Sequence, residues 1–122
     1  MALGRKVRFG VRLYTSPVFR RGDYEAVKAL ALKCEDLGFE YLWVDDHLYY
    51  ANQAPLECWT TLSALAEATR KARLGSLMSC VLFRSPSVLA KMAATVDVIS
   101  KGRLHFGIGA GWKEDEAVMY GV

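Results

Sequence analysis

The sequence has few of the residues from which disulfide frameworks and metal sites are built. Its 122 residues include three cysteines and two histidines, without a Cys-x-x-Cys pair. Cys34, Cys58 and Cys80 lie far apart in apolar stretches, which is typical of buried thiols that pack as small hydrophobic side chains. Cys80 ends a predicted strand, where a functional thiol is the alternative, but no His or Asn near it in sequence suggests a nucleophile pair. We predict buried thiols and no metal site.

Long apolar runs and a secretory signal are also lacking. Charges or turns interrupt every apolar run before the roughly 18 residues that are needed to span a bilayer. Residues 1–6 lead directly into a strand-like segment, without the long apolar region and the small-residue cleavage site of a signal peptide. We therefore expect a cytoplasmic protein without a membrane partner.

Neither sign of charge is in large excess. Lys and Arg number 16 against 13 Asp and Glu, and the basic residues are scattered rather than gathered on one helix. We therefore expect no nucleic-acid partner. With 52% hydrophobic and 24% charged residues, the composition is that of an ordinary globular protein with one domain.

The sequence does contain a regular alternation of strand-like and helix-like segments. Strands are predicted at 7–14, 39–44, 74–82 and 104–108, and helices at 24–37, 56–70 and 86–100. Asp23 and Ser85 are placed as N-caps, and Gly38 supplies a C-terminal cap. A further helix is predicted to begin after Trp112.

This alternation predicts an α/β protein whose parallel strands are joined by right-handed crossovers. Two architectures contain such an order, namely a small doubly wound sheet and half of a closed barrel. Periodicity does not distinguish between them. In both architectures the ligand-binding loops follow the carboxyl ends of the strands.

The Asp45-Asp46-His47 segment directly follows the second predicted strand, which is a position where such folds bind ligands. A histidine beside carboxylates suits proton transfer near neutral pH, and an adjacent Asp can fix its tautomer. The alternative is a helix-capping Asp and a solvent-facing His. Position alone leaves both interpretations open.

Three alternate glycines, Gly107, Gly109 and Gly111, lie at the end of the fourth predicted strand and just beyond it. Glycine lets a backbone approach a ligand closely and can begin an anion-binding turn. The dinucleotide fingerprint would require glycine where Trp112 stands, so a Rossmann site is excluded. The glycines either contact a ligand or relieve crowding where a strand turns outward. Trp112 either covers a ligand ring or fills the mouth of a barrel.

Other residues have a structural role as their first interpretation. Leu77 and Met78 would meet a ligand ring pressed against the third strand, although core packing is the default for such a run. Trp59 and Glu57 begin the second predicted helix, where packing and an N-terminal charge are expected. His105 is expected to be structural because it stands in the middle of a strand.

Four segments, in their order and spacing, resemble the luciferase-like monooxygenase family. They are 38–47 (GFEYLWVDDH), 74–76 (LGS), 84–103 (RSPSVLAKMAATVDVISKGR) and 107–112 (GIGAGW). The resemblance covers nearly the whole chain, and the stretch 84–112 is its most specific part.

The resemblance implies a (β/α)8 TIM barrel, of which residues 1–122 would form the N-terminal half, about four βα units, as a partial domain truncated at its C-terminus. It also implies that FMN or the deazaflavin coenzyme F420 binds at the carboxyl ends of the strands. The Asp-His after strand two resembles the deazaflavin branch, so F420 is favoured over FMN. In that branch the matching His lies beside the reactive ring. Here His47 and Asp46 are thus the expected catalytic residues, and Asp46 is also expected to contact the cofactor.

The remaining cofactor contacts follow from the same resemblance. Several relatives have a non-proline cis peptide in strand three behind the cofactor ring, and the matching bond here would join Leu77 to Met78. Gly109, Ala110 and Gly111 resemble the cofactor-side loop after strand four. Trp112, at the end of this loop, completes the expected set.

A half-barrel also raises expectations about assembly. Barrels of this kind hold a cofactor phosphate on the loops after strands seven and eight, which lie beyond the four predicted strands. The two edge strands and the apolar inner face would be open, so we expect a homo-oligomer or pairing with a complementary half-barrel. Three functions stay open: an F420-dependent oxidoreductase acting on a small organic substrate, an FMN-dependent monooxygenase, and a non-catalytic half-barrel that self-associates.

Overall fold

Strands and helices alternate along the described residues, 7–16 and 23–122, of a computed structural model. In chain order the elements are β1 Gly10–Leu13, α1 Tyr24–Asp36, β2 Tyr41–Val44, α2 Cys58–Ala68, β3 Arg73–Ser76, β4 Ser79–Cys80, α3 Pro86–Ser100, β5 Leu104–His105, β6 Ile108–Gly109 and α4 Glu114–Tyr120. A four-stranded parallel sheet has the order β1-β2-β3-β5, and β4 pairs in parallel with β6. Within each described sheet the strands follow one another in chain order, as in a barrel, without the reversal of a doubly wound sheet.

The third and fourth predicted strands are each divided in two, which corrects the continuous runs expected at 74–82 and 104–108. The division in the first run falls at the Leu77-Met78 peptide bond, which is cis as the resemblance implied. The ladder resumes beyond it, because the backbone N–H of Ser79 donates to the carbonyl of Gly107 at 2.9 Å. Strands β4 and β6 thereby form a separate two-stranded sheet beyond the carboxyl ends of β3 and β5.

The second helix is shorter than the predicted 56–70. The carboxylate of Glu57 accepts hydrogen bonds from the backbone N–H groups of Trp59 and Thr60, so the helix begins at Cys58. At the other end the buried hydroxyl of Thr69 donates to the carbonyl of Leu65 at 2.7 Å. Glu57 therefore has the N-terminal charge role expected for it.

The core lies between one face of the sheet and the three long helices. Its members include Leu13, Leu42, Val44 and Leu74 from the strands and Val27, Ala31, Leu62, Leu65, Leu89 and Val96 from the helices. Cys34, Cys58 and Cys80 are free thiols and buried, as predicted. Within the described residues, none of the helices is both long and apolar enough to cross a membrane.

The other face of the sheet carries an aromatic cluster. Tyr41 and Trp43 stack with their ring centroids 5.6 Å apart, and His105 lies edge-on to Tyr41 at 5.1 Å. A Cβ atom at Gly75 would lie 2.4 Å from the Trp43 indole, and one at Gly10 would lie 2.8 Å from it. Glycine at these two positions therefore makes the space for the indole. His105 packs within this cluster, and its structural role stays a prediction.

Large apolar side chains of the strands and their connections remain exposed. They include Phe9, Leu77, Met78, Phe106 and Ile108. Within the described sheets, β1, β5 and both strands of the β4-β6 pair each have one hydrogen-bonded strand neighbour, so each has an open edge. Open parallel edges next to apolar side chains favour association with another protein surface.

We therefore expect the 122-residue chain to self-associate when it is produced alone. Static light scattering should give a mass above that of one chain at micromolar concentration. Ile108→Lys places a charge on edge strand β6 and should lower the associated fraction, whereas Val98→Lys on the exposed side of α3 should not. A monomeric mass that does not change with concentration would contradict this expectation.

Glu35 joins the end of α1 to the connection between α2 and β3. Its carboxylate accepts hydrogen bonds from the backbone N–H groups of Arg70, Lys71 and Ala72, at 3.1, 2.6 and 2.7 Å. Burial opposes the charged form, but these three donors outweigh it and lower the pKa of Glu35 below its ordinary value.

A lowered pKa in the folded chain means that Glu35 stabilises the fold above its unfolded pKa, about 4.3, and loses this contribution as the pH falls through its folded pKa. Glu35→Gln should therefore reduce the free energy of unfolding at pH 7, with a smaller difference from the wild type at pH 3. Urea unfolding at both pH values measures this, with the exposed neighbour Asp36→Asn as the control. An equal loss at both pH values would show that the carboxylate charge is not what stabilises the connection.

Candidate active site

A cavity of about 560 Å³ opens at the carboxyl ends of the strands. It is lined by Asp46, His47, Leu77, Met78, Cys80, Leu82, Phe83, Gly109, Ala110, Gly111, Trp112, Lys113, Glu114, Glu116 and Ala117. All the site residues expected from the sequence, from Asp46 to Trp112, belong to this lining. The structure brings them together, while the roles assigned to them stay predictions.

His47 is held by a carboxylate from a distant helix. Its ring atom Nδ1 lies 2.8 Å from Oε2 of Glu116, which is 69 positions further along the chain in α4. Glu116 is buried, with 1% of its surface exposed. The ring of His47 also lies 4.8 Å from that of Tyr50 and edge-on to Trp112 at 6.2 Å, measured between centroids.

The loop that follows His47 is fixed by the same helix. Oε1 of Glu116 accepts hydrogen bonds from the backbone N–H groups of Leu48 and Tyr49. The hydroxyl of Tyr120, one helical turn further on, donates to the carbonyl oxygen of Leu48 at 3.1 Å. Side chains of α4 therefore bind both the backbone N–H and the backbone C=O of Leu48.

Asp46 has a different function in the structure from the one expected beside His47. Its carboxylate accepts two hydrogen bonds from the guanidinium of Arg84, at 2.7 and 2.9 Å, and one from the backbone N–H of Cys80 at 2.9 Å. The expectation that Asp46 fixes the His47 ring is thus corrected, because its oxygens are committed to these donors and Glu116 takes that place. Cofactor contact by Asp46 stays a prediction.

Arg84 connects Asp46 to the start of α2. It also forms an ion pair with Glu57, the N-cap of that helix. Burial alone would raise the pKa of Glu57, but hydrogen bonds from the N-terminal turn of α2 and from Arg84 outweigh it and lower that pKa. Because Arg84 directly precedes the cap of α3, one guanidinium ties the ends of β2, α2 and α3 together.

One side of the cavity is apolar. Leu77 and Met78, on either side of the cis bond, are 46% and 53% exposed. Gly109 lies close to this pair, since a Cβ atom there would be 3.2 Å from the Met78 methyl carbon. A flat, largely apolar ring fits against such a surface.

The glycines of the loop relieve crowding against the neighbouring strand. A Cβ atom at Gly107 would lie 2.4 Å from the carbonyl oxygen of Ser76. Gly111 has φ +88°, and a Cβ there would lie 2.8 Å from Sγ of Cys80. The structural interpretation left open by the sequence therefore holds at Gly107 and Gly111, and it does not exclude ligand contact by the loop backbone.

Positive charge is scarce around the cavity. Lys113 is the one Lys or Arg in the lining given above, and its ammonium group is paired with Asp115. Within the described residues, no group of three or more His, Cys, Asp or Glu side chains could hold a metal ion. The lining suits an uncharged ring better than a phosphate.

Sequence reasoning assigned no role to Glu116 or Arg84. Arg84 was visible as a charge that begins the most specific segment, 84–103, close to a helix start. Glu116 had no local signal, because its partner stands 69 positions away. Only the order of strands around the barrel brings the two together.

The sequence profile of the luciferase-like monooxygenase family matches residues 6–122. The chain therefore belongs to this family, as the four segments suggested. A 5,10-methylenetetrahydromethanopterin reductase from Archaeoglobus fulgidus is 39% identical to the chain, over 88% of the chain and 29% of the reductase.

Solved structures share the fold over nearly the whole chain. The coenzyme F420-dependent tetrahydromethanopterin reductase of Methanopyrus kandleri has a TM-score of 0.79 and 29% identity, over 97% of this chain and 31% of the reductase. The FMN complex of the oxygenating constituent of 3,6-diketocamphane monooxygenase from Pseudomonas putida has a TM-score of 0.84 at 18% identity, which shows the fold alone. The half-barrel architecture is thus confirmed, and the chain spans about a third of the length of these proteins, between 29% and 33%.

Removing the Arg84 charge should destabilise the fold strongly. Arg84→Met leaves the Asp46 carboxylate buried without its ion partner, so the free energy of unfolding should fall by roughly 3–5 kcal/mol. Arg12→Met removes the partner of Asp45 in a more exposed ion pair and should cost less than about 1 kcal/mol. Urea unfolding measures both, and the double variant Asp46→Asn with Arg84→Met should recover part of the loss. Equal effects of the two Met variants would contradict the account.

Proposed function

We propose that the chain forms the cofactor-ring side of a deazaflavin-dependent oxidoreductase, which moves a hydride between coenzyme F420 and a small organic substrate. One observation carries the proposal: His47, oriented by a buried carboxylate, faces the same cavity as the apolar Leu77-Met78 pair. This arrangement joins a proton-transfer group to a surface that accepts a flat ring. The 29% identity to the coenzyme F420-dependent tetrahydromethanopterin reductase of Methanopyrus kandleri supports the choice of cofactor.

The chain's own residues have distinct tasks in this proposal. Leu77 and Met78 would contact one face of the ring, and the backbone of 109–111 would lie along its edge. Trp112, which is 74% exposed, would cover the ring and keep water away from it. When bound, the deazaflavin supplies the carbon centre that accepts or releases the hydride.

His47 would move the proton that accompanies the hydride. Its Nδ1 is engaged by Glu116, so Nε2 is the ring nitrogen that can exchange a proton with a bound substrate. Oxidation of an alcohol releases a hydride from carbon and a proton from oxygen, and the reverse reaction consumes both. A neutral imidazole accepts that proton, and an imidazolium returns it.

The described lining fits the cofactor ring but supplies no free cation for a phosphate. Lys113 is already paired with Asp115. We therefore place the phosphate contacts outside the described lining. This agrees with the position of the phosphate site on later loops of such barrels.

A second candidate is an FMN-dependent monooxygenase of the same family. The fold shared with the FMN-bound monooxygenase from Pseudomonas putida favours it. FMN would occupy the same apolar surface, so the two candidates differ in affinity for the two cofactors rather than in the location of the site.

Fluorescence titration of the purified chain with F420 and with FMN tests the proposal. F420 should bind more tightly than FMN. Met78→Glu places a charge against the ring face and should weaken binding tenfold or more, since about 1.4 kcal/mol suffices for that factor. Met119→Glu, on an exposed position of α4, is the matched control and should bind as the wild type does.

Each other outcome decides against the first candidate. Tighter binding of FMN would favour the monooxygenase. Binding of neither cofactor by a self-associated chain would favour a non-catalytic half-barrel. Equal weakening by both Glu variants would place the ring away from the Leu77-Met78 pair.

A further inference from the structure

We propose that Glu116 sets the tautomer of His47, keeping the ring proton on Nδ1 so that Nε2 is the nitrogen that takes up or releases a proton in the cavity. The identity of the ligand in the cavity depends on the proposed function. The tautomer itself is a property of the chain and can be measured without any cofactor. Glu116 is thus a positioning residue, because it touches His47 and not the reacting atoms.

The donors around Glu116 define its charge state and its acceptor role. Oε1 receives the backbone N–H groups of Leu48 and Tyr49, the latter at 2.9 Å, and Oε2 faces Nδ1 of His47 at 2.8 Å. A backbone N–H can only donate, so Oε1 must accept. Two backbone N–H donors on Oε1 favour the carboxylate form of Glu116, in which both oxygens accept hydrogen bonds.

An anionic carboxylate has no proton to give, so the hydrogen of the Oε2 contact must come from the ring. Nδ1 therefore carries a proton in both the neutral and the charged ring. Within the described residues, Nε2 has no hydrogen-bond partner, although the ring lines the cavity. Nε2 is consequently the one ring nitrogen that changes its protonation.

The arrangement makes the orientation of His47 depend on α4. Glu116 and Tyr120 stand four positions apart on this helix, on one face of it, and hold the N–H and the C=O of Leu48 respectively. The backbone next to His47 is therefore fixed at two points while the ring is fixed at Nδ1. Loss of the Glu116 carboxylate would release the ring but leave the Tyr120 contact.

Long-range 1H–15N correlation spectra of the uniformly labelled chain test the proposal. At about pH 9, where imidazole rings are neutral, the wild-type His47 should show protonated Nδ1 and unprotonated Nε2. Glu116→Gln should invert this pattern. The amide oxygen must remain on the two backbone N–H groups, so the amide NH2 faces Nδ1, which must then accept and leave the proton on Nε2.

Glu67→Gln, at an exposed position of α2 outside the cavity lining, is the control and should keep the wild-type tautomer. A protonated Nε2 in the wild type would overturn the proposal, and so would an unchanged pattern in Glu116→Gln. If Glu116→Gln does not fold, the wild-type spectrum alone tests the proposal, because it shows which ring nitrogen of His47 carries the proton.

A kinetic readout separates positioning from simple structural support. In F420-dependent turnover, Glu116→Gln should lower kcat by about tenfold or more while leaving KM for F420 unchanged. A loss of kcat in Glu67→Gln as large as that in Glu116→Gln would contradict the positioning role, and so would a rise in KM for F420 as large as the fall in kcat. A wild-type Nδ1–H tautomer in a chain that binds no flavin would contradict the proposed function and still support this inference.

Discussion

Two buried carboxylates, Asp46 and Glu116, organise the carboxyl end of the sheet. Burial of a carboxylate is costly unless hydrogen-bond donors of the protein replace the water around it. Asp46 takes its donors from Arg84 and the backbone of Cys80, which fixes the ends of β2, β4 and α3 relative to one another. Glu116 takes its donors from the loop after β2, which fixes α4 above that loop. The walls of the cavity follow from these two sets of contacts.

Much of the fold could be predicted from the sequence because the signals for helix ends and strands are local. The N-caps at Asp23 and Ser85 and the alternation of apolar segments place α1, α3, β1 and β2 within a few residues of their observed bounds. The location of the cavity could also be predicted from the sequence, since the loops at the carboxyl ends of parallel strands lie close together. The cis bond at Leu77 was different, because only the family resemblance implied it and no pattern in composition or spacing does so.

The partners of the charged groups could not be predicted from the sequence, because they depend on contacts between distant segments. Asp46 stands next to His47 in sequence, yet successive residues at a strand end point in different directions, and Asp46 meets Arg84 instead. Glu116 reaches His47 because the intervening strands, β3 to β6, bring α4 over the loop that follows β2. Sequence adjacency was therefore a poor guide to which carboxylate orients the ring.

Together these contacts frame a cavity with an apolar side and one histidine in its described lining, and the proposed function places a flat cofactor ring there. The most direct test is a spectrum of the methionine methyl groups, 13C-labelled, with and without F420. The account predicts that the Met78 methyl signal shifts and shows nuclear Overhauser effects to the deazaflavin ring, while Met92 and Met119 are unaffected. Ring contacts at Met92 or Met119 without any at Met78 would contradict it.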